Sequence, residues 1–327
     1  LITTGGGLLV LSVIFAFGCT NAQHDSEAYA NRGGEPSPAP VESSLPRLTD
    51  QQYRSVLEDL FGPGLALKTH LEPVDDVHGL QAVGAAVSSI SPLGAERYEQ
   101  SAIDVAEQVV GEWSRLAPYG DCVPESVDDV ACFSGLLEPL SAKAWRRPVS
   151  ASELDKLVAI AADAAEVLDD PRQGLGFSIA AVLLAPSFLY RMETSSGSTL
   201  DAFSLASKLS FFLWNRGPDD ELLAAAENND LLDEKTLEEQ VDRMMADPRF
   251  RNGLRAFFTD LYDFDKLDEM SKDPLVFKHM SADLPAAARE ESLALLEEVV
   301  LEQDGDFRDV FTSTETWVDR RLAAIYD

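Results

Sequence analysis

The sequence predicts an all-α protein, a multi-helix array of two or three packed helical modules. From Leu48 onward, apolar residues recur at helical spacing and almost nowhere alternate over the length of a strand. Thr49 to Gln52 has the form of a capping box, which marks the start of a helix. Gly174 to Leu184 is apolar on all sides, which indicates a helix in the centre of the core.

The first half of the chain contains three helices on this pattern. The first begins at the capping box and ends at Gly62 and Pro63. A longer helix carries an apolar stripe from Tyr98 to Trp113 and ends near Pro118. The next follows two serines, Ser150 and Ser152, either of which can cap it.

The second half continues the helical pattern after the central helix, whose length Pro186 limits. Apolar stripes predict helices over 205–213 and 237–245, and Pro248 should start another that is rich in phenylalanine. The last long helix is expected to span about Ala282 to Gln303. Between the halves, Thr194 to Thr199 reads TSSGST, a composition shift that we interpret as a domain boundary.

These patterns divide the chain into five parts. We predict a signal peptide ending in a lipobox cysteine over 1–19 and a flexible Pro/Ser/Gly tether over 20–46. Three helical modules follow, over 47–118, 119–195 and 198–327, of which the second contains a pair of cysteines. No period of 20 to 50 residues repeats convincingly, so a solenoid is not supported.

The N-terminal segment suggests an exported protein. Leu8 to Phe17 is an uncharged apolar run of signal-peptide length, and Gly18 and Cys19 follow it directly. A small residue before a cysteine, with polar residues after it, resembles a bacterial lipobox, whose cysteine receives diacylglycerol. We therefore expect a lipid anchor on Cys19 and a location in the periplasm or on the outer-membrane surface. A buried core helix is the alternative interpretation of the apolar run.

The net charge of the chain limits the classes of molecule that it is expected to bind. The 327 residues include 26 basic and 57 acidic side chains, which gives a formal charge of −31. A body this acidic repels phosphate backbones and anionic head groups, so nucleic acid is not an expected partner. No stretch reaches the roughly 20 apolar residues that a spanning helix needs. Contact with a membrane is expected through the lipid anchor only.

Cys122 and Cys132 form an even pair once Cys19 is assigned to the anchor. In an exported chain such a pair favours a disulfide, which would close a short loop and stabilise the fold by about 2 to 3 kcal/mol. Two free buried thiols are the alternative. A metal site is less favoured, because no histidine or third cysteine lies at ligand spacing.

Several phrases, in order, resemble uncharacterised, exported helical domains of unknown function from planctomycetes and myxobacteria. LPRLTDQQYRSVLEDLFG, at Leu45 to Gly62, is similar to the first such module, and SPLGAERYEQSA, at Ser91 to Ala102, to the segment after it. CVPESVDDVAC, LSAKAWRRPVSASEL and APSFLYR resemble the second module, including its cysteine pair. LDAFSLASKLSFFLWNRGPDDELL, ADPRF and VDRRLAAIYD resemble the third.

This resemblance implies a role near extracellular electron transfer or polymer breakdown, because some relatives are fused to cytochrome c domains. It also implies that the third module is truncated at its C-terminal side here. A c-type cytochrome or another extracellular protein is therefore an expected partner, and a polysaccharide is a second one.

Motifs for catalysis are mostly absent. The sequence contains no H-E-x-x-H, G-x-S-x-G, phosphate-binding glycine loop or C-x-x-C-H, so we expect no cofactor and no metal, and we assign no catalytic residue. Acidic residues are too numerous for spacing to exclude a carboxylate pair. A binding or assembly module is the leading hypothesis, and a carboxylate-dependent glycan hydrolase is the alternative, so enzyme activity stays open.

Arginines, tryptophans and acids near helix ends form the candidate docking or ligand surface. The arginines could bind an anion or a partner, although ion pairs with the many carboxylates are the simpler interpretation. Exposed tryptophans could stack on sugars, although burial in the core is the simpler interpretation. Acids after Pro218 are also explained by the dipole of the helix that follows. The candidates are Arg146, Arg147, Trp214, Arg216, Asp219, Asp220, Trp317, Arg320 and Arg321.

Overall fold

A computed structural model describes residues 45–196, 199–273 and 275–326 and confirms the all-α class. The predicted signal peptide, Cys19 and nearly all of the tether lie outside the described residues. No helix within the described part of the chain is both long enough and apolar enough to cross a membrane.

Seven helices and one short turn build the region before the boundary. The capping box at Thr49 and Gln52 is confirmed, with both reciprocal hydrogen bonds present. The helices are α1 (Asp50–Phe61), α2 (Gln81–Gly84), α3 (Pro92–Gly111), α4 (Val130–Trp145), α5 (Ala151–Leu168), α6 (Pro171–Leu184) and α7 (Pro186–Leu189), with a 3₁₀ turn over Trp113–Leu116.

The second region begins with a two-residue antiparallel ladder, β1 (Ser195–Ser196) with β2 (Thr199–Leu200), at the predicted boundary. Its helices are α8 (Ala202–Leu213), α9 (Asp220–Glu227), α10 (Glu234–Ala246), α11 (Arg249–Leu261), α12 (Leu284–Glu297) and α13 (Arg320–Tyr326). Shorter turns lie at Asp230–Leu232, Phe264–Glu269 and Phe307–Phe311, and a π-helical turn, Glu298–Glu302, extends α12.

One predicted helix boundary was wrong. Helix α3 begins at Pro92, because the Ser91 side chain accepts a hydrogen bond from the Gly94 amide. It ends at Gly111 and not near Pro118. The predicted helix over 282–303 is α12 with its π-helical extension.

The disulfide between Cys122 and Cys132 is confirmed, with their Cα atoms 5.8 Å apart. It ties the segment before α4 to the first turn of that helix. The Asp129 side chain caps the same turn by accepting a hydrogen bond from the Cys132 amide.

Helices α1 and α3 to α7 share one hydrophobic core, which also takes in Phe211 from α8. Three smaller clusters hold the rest: one around Trp214 and Leu222, one around Phe258 and Leu296, and one of Leu284, Ala287 and Leu322. Burial therefore decreases along the chain, from a closed core before the boundary to small clusters after it.

The expected central helix is α6, which packs against α3, α4 and α5. Gly174 permits its close approach to α5, since a Cβ atom there would lie 2.4 Å from the Ala161 carbonyl oxygen and 2.5 Å from the Ala165 Cβ. Backbone cannot give way cheaply at such distances. The glycine is therefore required by the packing of α5 on α6.

Replacing this glycine tests the helix contact. We expect Gly174→Ala to lower the free energy of unfolding by about 1 to 3 kcal/mol through overpacking, as measured by urea titration. Gly135 is the matched control, because it lies inside α4 with no atom within 4 Å of an added Cβ. Gly135→Ala should stabilise by about 0.5 to 1 kcal/mol. Equal effects of the two substitutions would contradict the close approach of α5 and α6.

Candidate functional site

The nine candidate residues do not form one surface. The structure separates them into a buried junction around Trp214, an arginine pair at the end of α4, and an exposed group near α13. The three places differ in their chemistry. Two of the nine residues, Trp214 and Arg146, are buried.

Trp214 lies in the core, with 1% of its surface exposed, so its assignment to a sugar-stacking surface was wrong. Its indole Nε1–H donates a hydrogen bond of 2.8 Å to the Met244 carbonyl. The Arg249 guanidinium carbon lies 3.5 Å from the centre of the indole ring, and that of Arg243 lies 5.6 Å away. The ring is fully occupied by this cation–π stack and cannot accept a ligand.

Asp219 joins the same cluster from the start of α9. Its carboxylate caps the helix by accepting from the Leu222 amide at 3.0 Å, and it binds Arg243 at 2.8 and 3.0 Å and Arg249 at 2.9 Å. Burial works to raise the pKa of Asp219, but the hydrogen bonds from Arg243, the Leu222 amide and Arg249 bring it below its usual value. Asp219 is therefore a structural anion, as its position at the helix start suggested.

Asp247 completes the cluster. It accepts hydrogen bonds from the Arg249 side chain and amide, which lower its pKa to about 2. The Trp214 cluster thus consists of Trp214, Asp219, Arg243, Asp247 and Arg249, in which every charge has a partner.

The loop between α8 and α9 connects this cluster to the earlier helices. Arg216 donates two hydrogen bonds, of 2.5 and 2.9 Å, to Asp59 on α1. Asn215 accepts from Gln52 at 2.8 Å and donates to Gln51 at 3.1 Å. We call residues 214–220 the junction loop.

Two further contacts tie the same regions together. Lys143 on α4 pairs with Asp220 at 2.9 Å. Asp260 on α11 accepts from the amides of Gln81 and Ala82, at 2.7 and 3.0 Å, and so caps α2 from a distant part of the chain. Arg216 and Asp220 therefore act as ion-pair partners between modules.

Arg146 is also buried, with 4% of its surface exposed, so it is not part of a docking surface. It ends α4 in a left-handed conformation, and its guanidinium donates to the carbonyls of Ala144, Ser187, Phe188 and Tyr190 at 2.8 to 3.3 Å. Arg147 points elsewhere and forms a two-pronged pair with Glu153, at 2.8 and 3.1 Å.

The remaining candidates lie near the end of the chain. Trp317 is 61% exposed, and Arg321 pairs with Asp283 at 2.8 Å while Arg320 is exposed. Beside Trp317, Thr316 donates to a carboxylate oxygen of Glu291 at 2.9 Å. The Tyr326 hydroxyl donates to the same oxygen at 2.7 Å. Thr316, the neighbour of Trp317 in sequence, and Tyr326 therefore share one carboxylate oxygen of Glu291.

Two cavities bear on the question of an active site. A cavity of about 40 Å³ lies between α3 and α6, beside Ile103, Gly176 and Phe177. A wide cleft of about 480 Å³ lies at the end of α1, with the acids Glu58, Asp59 and Glu112 among its lining residues.

Two of the acids in this cleft form ion pairs with arginines. Burial raises the pKa of Asp59, although the hydrogen bonds from Arg216 act against the rise. Glu112 binds Arg115 at 2.8 Å. Among the described residues, histidines, cysteines and acids form no group of three or more that could hold a metal ion.

Models of three protein families match consecutive parts of the chain. PSD3, a protein of unknown function (DUF1587), matches residues 47–111; PSD5, a protein of unknown function (DUF1595), matches 132–193; and PSD4, a protein of unknown function (DUF1592), matches 200–327. Each model covers less than half of the chain, and together they confirm the resemblance to uncharacterised domains of unknown function. No curated protein and no solved structure matches the chain.

Sequence reasoning missed the arginines and the acid that organise these sites, above all Asp59, Arg191, Arg243 and Arg249. Each makes its decisive contact with a residue more than about 20 positions away or with an aromatic ring. The sequence ADPRF does indicate one of these contacts, because Asp247 lies two positions before Arg249 and can pair with it locally.

Proposed function

We propose that this protein is an exported, lipid-anchored binding or assembly module that docks a cationic extracellular protein, such as a c-type cytochrome. The observation that carries the proposal is the contrast between a closed core before the boundary and exposed aromatic residues at the C-terminal end. We call the exposed residues Phe307, Phe311, Trp317, Val318, Ile325 and Tyr326 the C-terminal apolar face.

This face is poorly covered by the rest of the chain. Between Gln303 and Tyr326, Leu322 is the one buried side chain. Phe311 is 67% exposed although its ring lies 6.1 Å from that of Tyr262. Exposed apolar residues grouped in this way favour an interface with another molecule over a solvated surface.

Charge suggests the chemistry of the partner. Four acids alternate in sequence with the residues of the C-terminal apolar face: Asp306, Asp309, Glu315 and Asp319. The whole chain has a formal net charge of −31. A partner with an apolar centre and a basic rim would be complementary and would be attracted from a distance. The family resemblance adds the link to electron transfer, so a basic c-type cytochrome is the partner of choice.

Export and lipidation belong to the same proposal. The disulfide supports an oxidising compartment, and the apolar run before Cys19 supports lipid attachment.

In an exporting bacterial host, a fatty-acid analogue should label the wild type and not Cys19→Ser. Equal labelling of the two proteins would remove the anchor from the proposal.

Docking is tested by titrating the full chain, as Cys19→Ser, with a purified basic c-type cytochrome. We expect saturable binding that weakens between 20 and 200 mM salt, because the attraction is partly electrostatic. Trp317→Ser should weaken the affinity about tenfold through lost apolar burial. The control is Phe212→Ser, which removes a ring that is 75% exposed on α8 and lies outside this face. No binding would reject the cytochrome as partner, and equal affinity for all three proteins would reject the C-terminal apolar face as its docking site.

The cleft at the end of α1 gives the alternative function its one specific observation. Glu58, Asp59 and Glu112 line an open depression in which the pKa of Asp59 is raised by burial, as for a general acid. A glycan hydrolase at this place would release reducing ends from polysaccharides. The activity should then disappear in Glu58→Gln or Asp59→Asn while Trp317→Ser keeps it. Absence of sugar release from a polysaccharide panel would reject the hydrolase.

A further inference from the structure

Positive charge accumulates where α7 meets α8, although the chain as a whole is strongly acidic. The guanidinium carbons of Arg146 and Arg191 lie 5.6 and 5.4 Å from the centre of the Phe211 ring. Arg147 is close enough to act on Arg146 through its charge. Two guanidinium groups therefore meet at Phe211, the α8 residue that belongs to the large core, and the charge of a third acts on one of them.

The two carboxylates near this group, Glu153 and Glu193, each form an ion pair with one cation, and the charge of Glu193 also acts on Arg191. Glu153 binds Arg147, and Glu193 binds Lys208 at 3.2 Å. Arg146 donates only to carbonyl oxygens. Within the described chain, four cations thus share two carboxylates at this place, which leaves an excess of positive charge.

Two buried donors lack an acceptor at the same place. Among the described residues, Arg191 Nε and Ser207 Oγ are shielded from solvent and have no hydrogen-bond partner. Ser207 is 6% exposed. A buried donor without an acceptor is destabilising, so two of them on adjoining elements call for an explanation.

Helix geometry brings the two donors toward each other. Ser204, Ser207 and Phe211 are spaced by three and four residues and lie on one face of α8. Ser204 Oγ lies 3.4 Å from the Met192 carbonyl oxygen, and Phe211 lies against Arg191. Ser207, between them, therefore faces the segment of Arg191 and Met192.

We propose that Arg191 and Ser207 bind a small oxyanion at the junction of α7 and α8, with Arg146 supplying further positive charge. A phosphate, a sulfate or a carboxylate group would accept from both donors, and its negative charge would offset the excess of cations. The arginine fork matches such groups in shape as well as in charge.

The pKa shifts of the two arginines and the position of Arg191 near the surface support an anion at this place. Burial, followed by the charges of Arg191 and Arg147, lowers the pKa of Arg146 to about 9, and burial also lowers the pKa of Arg191. The negative charge of a bound anion would raise both pKa values, because it favours the charged form of each arginine. A water molecule could satisfy the two donors but would leave the charge excess in place. Arg191 is partly exposed and Met192 is 47% exposed, so the site lies near the protein surface, although Arg191 Nε and Ser207 Oγ themselves are buried.

The test is a titration of the full chain with phosphate, sulfate or acetate at constant ionic strength, followed by thermal unfolding and calorimetry. Binding to the folded state should raise the melting temperature in a saturable way. Preference for the tetrahedral anions would assign a phosphate-type or sulfate-type ligand, and preference for acetate a carboxylate. No saturable effect of any of the three anions up to about 50 mM would overturn the proposal.

Variants locate the site. Arg191→Gln should weaken anion binding at least tenfold, and Ser207→Ala severalfold. Arg172→Gln is the matched control, since Arg172 also lies over an aromatic ring, that of Trp113, at 5.2 Å. It should bind the anion as the wild type does. Unchanged binding in both Arg191→Gln and Ser207→Ala would overturn the assignment. If Arg191→Gln does not fold, Ser207→Ala decides alone.

Discussion

Trp214 is buried at the end of α8, and the junction loop that follows it reaches both of the earlier modules. The indole is fixed by its hydrogen bond to Met244 and by the stack of Arg249 on its face. This anchoring sets the direction in which Asn215 and Arg216 leave the helix. Arg216 can then pair with Asp59, and Asp220 with Lys143. The arrangement of the modules thus depends on one buried ring.

Local signals in the sequence were sufficient for the helices. The capping boxes at Thr49 and Ser150 and the prolines at 171 and 186 act within one turn of chain, so they can be recognised without a structure. Ser150 and Ser152 were equal candidates for a cap. The structure selects Ser150, because Glu153 lies three residues after it and completes the reciprocal pair.

The site was harder to predict, because burial depends on contacts between distant parts of the chain. Trp214 and Arg146 were candidates for a surface at helix ends, although burial was the simpler interpretation of the tryptophan. Each is enclosed by segments 30 to 44 positions away. Nothing in the local sequence distinguishes Trp317 from Trp214, yet Trp317 is exposed. The two tryptophans differ in whether a later helix covers them, which no local pattern records. Cation–π partners such as Arg249 have no spacing rule at all.

The structure places different kinds of surface in different regions. The helices before the boundary bury their apolar side chains in one core and present charge, whereas the C-terminal apolar face exposes aromatic rings. The excess of positive charge near Arg191 lies between these regions.

The central claim is that the junction loop makes the modules stable as one unit. Peptide-level hydrogen exchange of Arg216→Gln tests it, because this change removes the pair with Asp59 and leaves the Trp214 cluster intact. The account predicts that α1 and α9 lose protection together, while Arg54→Gln, which breaks an exposed pair with Asp50 on the same helix, changes neither. Faster exchange confined to the junction loop, with α1 unchanged, would contradict the claim.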